Sequence, residues 1–178
     1  MLRRQHLIVY LIGVAARTMP SFRTVRRVAF TPRQMFDLVA DVDRYPEFLP
    51  FCEALAVRSR KREGGKEVLV ADMTAGYGAI RETFTSRVAL DLLQPAVLVQ
   101  GTPDSRGPFR SLENRWHFTA APGGCDVEFS IAYEFKSMMM QMLVGALFDR
   151  AFRRYTLAFE ERARAIYGAE APAAREIS

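Results

Sequence analysis

Side chains able to act as nucleophile, base or metal ligand are few in this chain and widely scattered. Histidine occurs twice. His6 lies in a basic leader, and His117 stands between Trp116 and Phe118 on an alternating segment, where a lone histidine reads as a structural or surface residue. Cys52 and Cys125 form neither a CxxC pair nor a zinc pattern, and read as reduced, buried or half-buried thiols. Asp41 and Asp43 flank a helix end, where capping and solvation explain them. The "GYG" of Gly76 to Gly78 lacks the strand-to-helix context of a phosphate loop and reads as a bend carrying Tyr77 at its tip. No nucleophile can be placed beside a base. Tyr77 and Glu82 are left as cavity-facing candidates for a hydrolytic or cyclase-like reading. The stronger expectation is a protein that binds without catalysing.

Two stretches offer binding chemistry instead. "DVDRYPEFLPFC", Asp41 to Cys52, sets Tyr45, Phe48, Leu49 and Phe51 in a segment broken by two prolines, so its aromatic surface reads as a core plug or the rim of a site. "MMMQMLVGALF", Met138 to Phe148, is apolar all round except at Gln141. Methionine is flexible and polarisable, so four in one short run suit a wall that adapts to a greasy ligand, a membrane-touching helix start, or plain core packing. Gly145 weakens a helix by about 1 kcal/mol relative to alanine and allows a close approach to the backbone.

Charge narrows the partners. The formal net charge is +5, but Met19 to Gly168 carries 21 basic and 18 acidic groups, a near balance that argues against DNA binding. Six arginines and no acid occupy residues 1–30, and "RSRKREGGK", Arg58 to Lys66, forms a basic hairpin tip. It reads as a solvated turn, with anionic lipid headgroups or RNA as its alternatives.

These segments need elements to position them. At 178 residues, with 49% apolar and 25% charged residues, the chain fits one globular domain with a substantial core. Residues 1–18 are basic at the start and apolar from Leu7 to Ala16, too short a run to span a bilayer. They suit a secretory signal, an organelle or membrane-surface leader, or an extension ahead of a true start at Met19. We take the last as the expectation, with the domain at 19–168 and a frayed tail at 169–178. Phe22 to Phe30 suggests a strand whose faces are poorly sorted. Thr31 and Pro32 then open a helix burying Met35, Phe36, Leu38 and Val39, and a short helical turn carries Tyr45 to Leu49. Antiparallel strands follow, turned at Glu63-Gly64-Gly65 and Pro122-Gly123-Gly124. In the last of them Cys125, Val127, Phe129, Ile131, Tyr133 and Phe135 share one apolar face. A proline-free helix from Ser137 to about Tyr167 carries an apolar stripe through Val144, Phe148, Phe152, Tyr155, Phe159, Ala163 and Ile166. The fold class is therefore α+β, a curved antiparallel sheet of about seven strands around a long C-terminal helix.

"MPSFRTVRRVAFTPRQMFDLVADVDRYPEFLPFC", "GPFRSLENRWHF" and "FKSMMMQMLVGALFDRAFRRYTLAFEERARAIYG" together resemble the coenzyme Q-binding START-like family. It belongs to the polyketide cyclase/START superfamily and includes the bacterial ribosome-association toxin (RatA) and mitochondrial coenzyme Q-binding relatives. The resemblance covers Met19 to Gly168. It implies a helix-grip fold, no catalysis and no catalytic cofactor, and a tunnel holding ubiquinone or another polyprenyl lipid. Carried over by position, Tyr45, Phe48, Leu49 and Phe51 would flank the mouth. Met73, Phe84, Trp116, Phe118, Phe135, Met139, Leu143, Leu147 and Phe152 would line the interior.

The role so implied is ubiquinone chaperoning in support of respiration and quinone biosynthesis. The place implied is cytoplasmic, peripheral to the inner face of the inner membrane. The alternative within the resemblance is a toxin on the large ribosomal subunit that blocks subunit association, for which Arg23, Arg26, Arg27 and the Arg58 to Lys66 hairpin are the basic candidates.

Overall fold

A computed structural model describes residues 21–102, 107–168 and 175–176. The expectations for residues 1–18 lie outside them. Strand β1 (Ser21–Val28) leads into helix α1 (Pro32–Ala40), opened by a capping box. The Thr31 hydroxyl accepts from the Gln34 amide at 3.2 Å, and the Gln34 side-chain oxygen accepts from the Thr31 amide at 2.8 Å. Each partner thus satisfies a backbone or side-chain group that a helix start would otherwise leave unpaired. Met35, Phe36, Leu38 and Val39 are buried, as the helical spacing requires. A 3₁₀ turn (Val42–Arg44) and the short helix α2 (Tyr45–Phe48) end before Pro50, which cannot continue a helix.

Six more long strands follow: β2 (Cys52–Glu63), β3 (Lys66–Tyr77), β4 (Ile80–Asp91), β5 (Ala96–Gly101), β6 (Phe109–Ala121) and β7 (Gly124–Phe135). The turns after β2 and β6 use Gly64 and Gly123 at φ of +58° and +77°, the left-handed conformation that glycine adopts without steric cost. Neighbouring strands pair antiparallel in the order β2-β3-β4-β5-β6-β7-β1. The first two strands of the chain therefore lie far apart in one curved sheet, and α1 and α2 cross between them. Along β7 burial alternates residue by residue, so one face is core and the other faces out.

Helix α3 (Met138–Tyr167) covers the apolar face, starting at Ser137, whose hydroxyl accepts from the Met140 amide. Phe152, Phe159 and Ala163 are buried beneath it. Glu160 pins the helix to β1 through a bidentate pair with Arg26, and their side chains are only 5% and 16% exposed. The apolar stripe stops short of its expected length: Ile166 is 51% exposed, because a helix of 30 residues is about 45 Å long and overhangs a domain of this size. Within the expected tail, Arg175–Glu176 form a short strand, β8, paired with Arg27 and Arg26 at the edge of β1.

Candidate functional site

The sheet and α3 do not close solidly on each other. Between them lie two chambers, an outer one of about 170 Å³ and an inner one of about 160 Å³. They share Ala75, Phe84, Phe109, Phe148, Phe152 and Tyr155, so the partition between them is made of side chains, mainly aromatic rings. The rings are in edge-to-face contact: Phe84 lies edge-on to Phe109 at 5.1 Å and Phe148 to Phe152 at 5.1 Å. Side chains rotate far more readily than backbone moves, so this wall can open. Neither chamber alone reaches the roughly 300–1,000 Å³ usual for a small-molecule site, whereas the two joined do.

The outer chamber opens at the turn between β3 and β4. Tyr77, 48% exposed, and Glu82 stand on one side, with Arg150 and Arg154 one helical turn apart on the other. None of these four has a hydrogen-bond or ion-pair partner among the described residues. Phe51 reaches over the same opening, with its ring 5.4 Å from that of Tyr77 and 6.3 Å from that of Tyr155. It does so from a backbone φ of +66°, a conformation that is unusual for a bulky residue and costs on the order of 1–3 kcal/mol. The Phe51 carbonyl accepts from the Gly76 amide at 3.0 Å, which fixes the strained residue to β3. Strained residues cluster at ligand sites, so the conformation marks this mouth as a candidate site.

The inner chamber is capped at one end by Val42, Tyr45 and Leu49 from the segment between α1 and β2, and at the other by Trp116 and Phe129. The Tyr45 hydroxyl donates to the Val39 carbonyl at 2.6 Å, and burial holds the phenol far above its ordinary pKa. Trp116 donates from its ring nitrogen to the Asn114 side-chain oxygen at 2.9 Å, while the Asn114 amide nitrogen donates to the Ser130 carbonyl at 2.9 Å. Two buried polar side chains are satisfied in this way, and the indole is held in place at the chamber wall.

Nine of the thirteen expected site residues line one chamber or both. Tyr45, Leu49, Met73 and Trp116 border the inner, Phe51, Phe135 and Leu147 the outer, and Phe84 and Phe152 both. Four depart from expectation. Phe118 lies two residues beyond Trp116 on β6, past the end of the chamber, and packs edge-on against Phe36 of α1 at 6.2 Å. Phe48 is half-buried between Phe159, at 5.2 Å, and the Arg162 guanidinium, at 5.3 Å, clamping α2 to α3. Met139 and Leu143 are 71% and 59% exposed, because the first turns of α3 overhang the sheet and only Met140 among the four methionines turns towards the chamber. Met138 and Met142 share this exposure, so the start of α3 presents an apolar surface beside the opening.

Phe109 and Tyr155, which the sequence did not single out as site residues, belong to the shared wall. Phe109 sits one residue after Pro108 in the "GPF" start of β6, and Tyr155 on the apolar stripe of α3, so position alone marked both as core. His117 is exposed on the far side of the sheet, away from both chambers. Burial pushes the Cys52 thiol up to about 11 and the Cys125 thiol up to about 12, so neither is a thiolate nucleophile near neutral pH. The described residues contain no group of three histidine, cysteine or acidic side chains placed to hold a metal. They also contain no helix long and apolar enough to cross a membrane.

The arginines expected to offer a basic face are engaged by acids. Arg23 pairs with Glu128 at 2.8 Å, Arg26 with Glu160, and Arg27 with Asp126. In the hairpin, Arg58 pairs with Asp72, Arg60 with both Asp43 and Glu67 at 2.8 Å, and Arg62 lies 4.0 Å from Glu67.

The polyketide cyclase / dehydrase and lipid transport family matches residues 28–160. A ribosome association toxin RatA of Rickettsia prowazekii is 30% identical over 148 residues, covering 83% of this chain and 99% of that protein. The mitochondrial coenzyme Q-binding protein COQ10 homolog B of Xenopus laevis is 32% identical over 147 residues, 79% of this chain but 57% of that protein. The solution structure of an 18 kDa protein from Caulobacter crescentus superposes with a TM-score of 0.68 at 33% identity, covering 83% of this chain and 99% of that one. With its hollow between curved sheet and long helix, and a family match spanning most of its length, the chain belongs to the polyketide cyclase / dehydrase and lipid transport family.

Proposed function

We propose that this protein binds a polyprenyl quinone of the ubiquinone type in its joined chambers, without catalysing a reaction on it, and exchanges it with a membrane surface. The observation that carries this reading is the pair of apolar chambers that share one rotatable aromatic wall and open beside an exposed methionine surface. Each buried methylene-sized group contributes about 0.8 kcal/mol, so an isoprenoid leaves a bilayer only for a protein interior of comparable apolarity. The chambers have room for a ring and part of a tail; the rest of a long tail stays outside, where Met138, Met139, Met142 and Leu143 offer it apolar cover. The same face, with Arg150 and Arg154 nearby, suits shallow docking on an anionic bilayer. Such a protein works peripherally on the inner face of the inner membrane and supports quinone-dependent respiration and quinone biosynthesis.

Uptake of ubiquinone from vesicles tests the reading. The wild-type protein is expected to remove quinone from anionic liposomes. Leu147→Asp, which charges the outer chamber, should abolish uptake. Leu143→Asp, on the outer surface, should slow transfer from vesicles by about tenfold while leaving binding of a short-chain quinone in solution intact. Wild-type uptake by Leu147→Asp, or none by the wild-type protein, would sink the proposal.

A second reading draws on the name of the Rickettsia relative: association with the large ribosomal subunit. Pairing of Arg23, Arg26, Arg27, Arg58 and Arg60 with acids leaves these positions with less charge for RNA than the sequence promised. Sucrose gradients would favour this second reading if added protein lowered the fraction of joined subunits in a cell extract.

A further inference from the structure

Two hydroxyls that border the cavity have no hydrogen-bond partner among the described residues. Ser86 of β4 is 5% exposed and borders the inner chamber, and its side chain makes no hydrogen bond among the described residues. No fully enclosed side-chain oxygen or nitrogen among the described residues lacks a partner, so the Ser86 oxygen must keep its small accessible area towards the chamber. Tyr155 of α3 borders both chambers, and its phenol also has no hydrogen-bond partner. Desolvation raises that phenol well above its ordinary pKa, as befits a residue in the wall that the two chambers share. Buried polar groups are almost always hydrogen-bonded, and exceptions call for a cause. The other polar groups here do not compete for that role: Asn114 is held by Trp116 and Ser130, and Tyr45 by Val39.

We propose that Ser86 and Tyr155 form a recognition site for the oxygens of a neutral ring, so that the ligand enters head first and its isoprenoid tail runs out through the outer chamber. This rests on the quinone reading above and adds an orientation and two specificity residues to it. A hydroxyl both donates and accepts: it donates to a quinone carbonyl and accepts from a quinol hydroxyl, so the site serves both redox forms of the ring. The polar groups at the opening are of another kind. Arg150, Arg154 and Glu82 are charged groups that water can solvate there, and the guanidinium groups, which donate only, cannot accept from a quinol hydroxyl. The partition of Phe84, Phe109, Phe148 and Phe152 supplies apolar contact along the path a tail would take. The flat ring comes to rest against Trp116, which Phe129 backs edge-on at 4.6 Å.

Trp116 is the only tryptophan in the chain, which makes it a reporter of ring position. The experiment titrates the full-length protein with a ubiquinone bearing two isoprene units, measuring binding by calorimetry and Trp116 emission in parallel. A ring-free isoprenoid hydrocarbon of similar length and oleate serve as comparison ligands. The head-first orientation predicts loss of most Trp116 emission at saturation. Tyr155→Phe and Ser86→Ala are each expected to weaken quinone binding by roughly three- to tenfold, the range for one lost hydrogen bond, with hydrocarbon binding unchanged. Quinone that binds by calorimetry while Trp116 emission is unaltered places the ring at the opening and overturns the orientation, leaving the quinone reading intact. Wild-type quinone affinity in the double variant Ser86→Ala/Tyr155→Phe overturns it as well. Tight oleate binding that Arg150→Ala/Arg154→Ala abolishes, without quinone binding, overturns both in favour of an acidic lipid held at the opening.

Discussion

Cys52 and Cys125 are both buried, both unpaired as disulfides and both held in the thiol form by desolvation. The ordinary value is 9.0, against about 11 and about 12 in the folded protein, and the buried phenols of Tyr45 and Tyr155 are raised in the same direction. Below pH 9 folded and unfolded chains hold these thiol protons equally, so stability is independent of them. As pH rises above 9 the unfolded chain releases protons that the folded protein keeps, and stability falls until the folded thiols titrate near 11 to 12. Urea denaturation between pH 8 and 11 should show this decline, and Cys52→Ala/Cys125→Ala should make it shallower; an identical slope in the variant would refute the assignment. The sequence already indicated inert thiols from their spacing. It gave no hint of the left-handed Phe51, because nothing local distinguishes a phenylalanine forced to φ of +66° by its bond to Gly76 from one in an ordinary turn.

At the scale of elements, α3 has three successive roles. Its first turns expose Met138, Met139, Met142 and Leu143, its middle supplies Leu147, Phe148, Ala151, Phe152 and Tyr155 to the chambers, and its last third packs through Phe159 and Ala163. The periodicity of the sequence located the helix and the buried stripe from Phe148 to Ala163. It failed at Ile166, which is exposed, because apolar spacing reports which residues share a face, not where the opposing sheet stops. The same limit explains Phe118: period-two alternation sets it on the face of Trp116, and only the position of α1 decides that it packs against Phe36 and not against a ligand. Strands β6 and β7 were legible throughout, since their alternation spans the whole element. The Arg26–Glu160 pair ties the helix to β1 beside its apolar contacts. Removing one member of a buried pair leaves the other desolvated, at a cost of about 3–5 kcal/mol. Glu160→Ala should therefore lower the unfolding free energy by about 3 kcal/mol in a chemical denaturation experiment. A loss below about 1 kcal/mol, the value of an exposed pair, would show that the pair does not anchor the helix.

For the molecule as a whole, the sheet order sends β1 to the side of β7 and β2 to the far edge, so the α1–α2 segment must bridge the open end of the curve. "DVDRYPEFLPFC" is that bridge. Tyr45 and Leu49 reach inwards as the cap of the inner chamber, Phe48 clamps the bridge to α3, and Phe51 leans over the outer opening. One broken segment thus touches both chambers, an arrangement the prolines make by ending each helical turn early. The fold was readable from composition, turns and periodicity together with the family resemblance. The hollow was not, because side-chain volumes in a sequence do not reveal whether facing residues meet. The central claim is that this hollow holds a polyprenyl quinone, and native mass spectrometry with lipid identification, on protein purified from the cells that make it, tests it most directly. The account predicts a bound species whose added mass and extract match one ubiquinone-type molecule per chain, absent from Leu147→Asp. A wild-type protein that carries no quinone, and acquires none when equilibrated with quinone-loaded membranes, would contradict it.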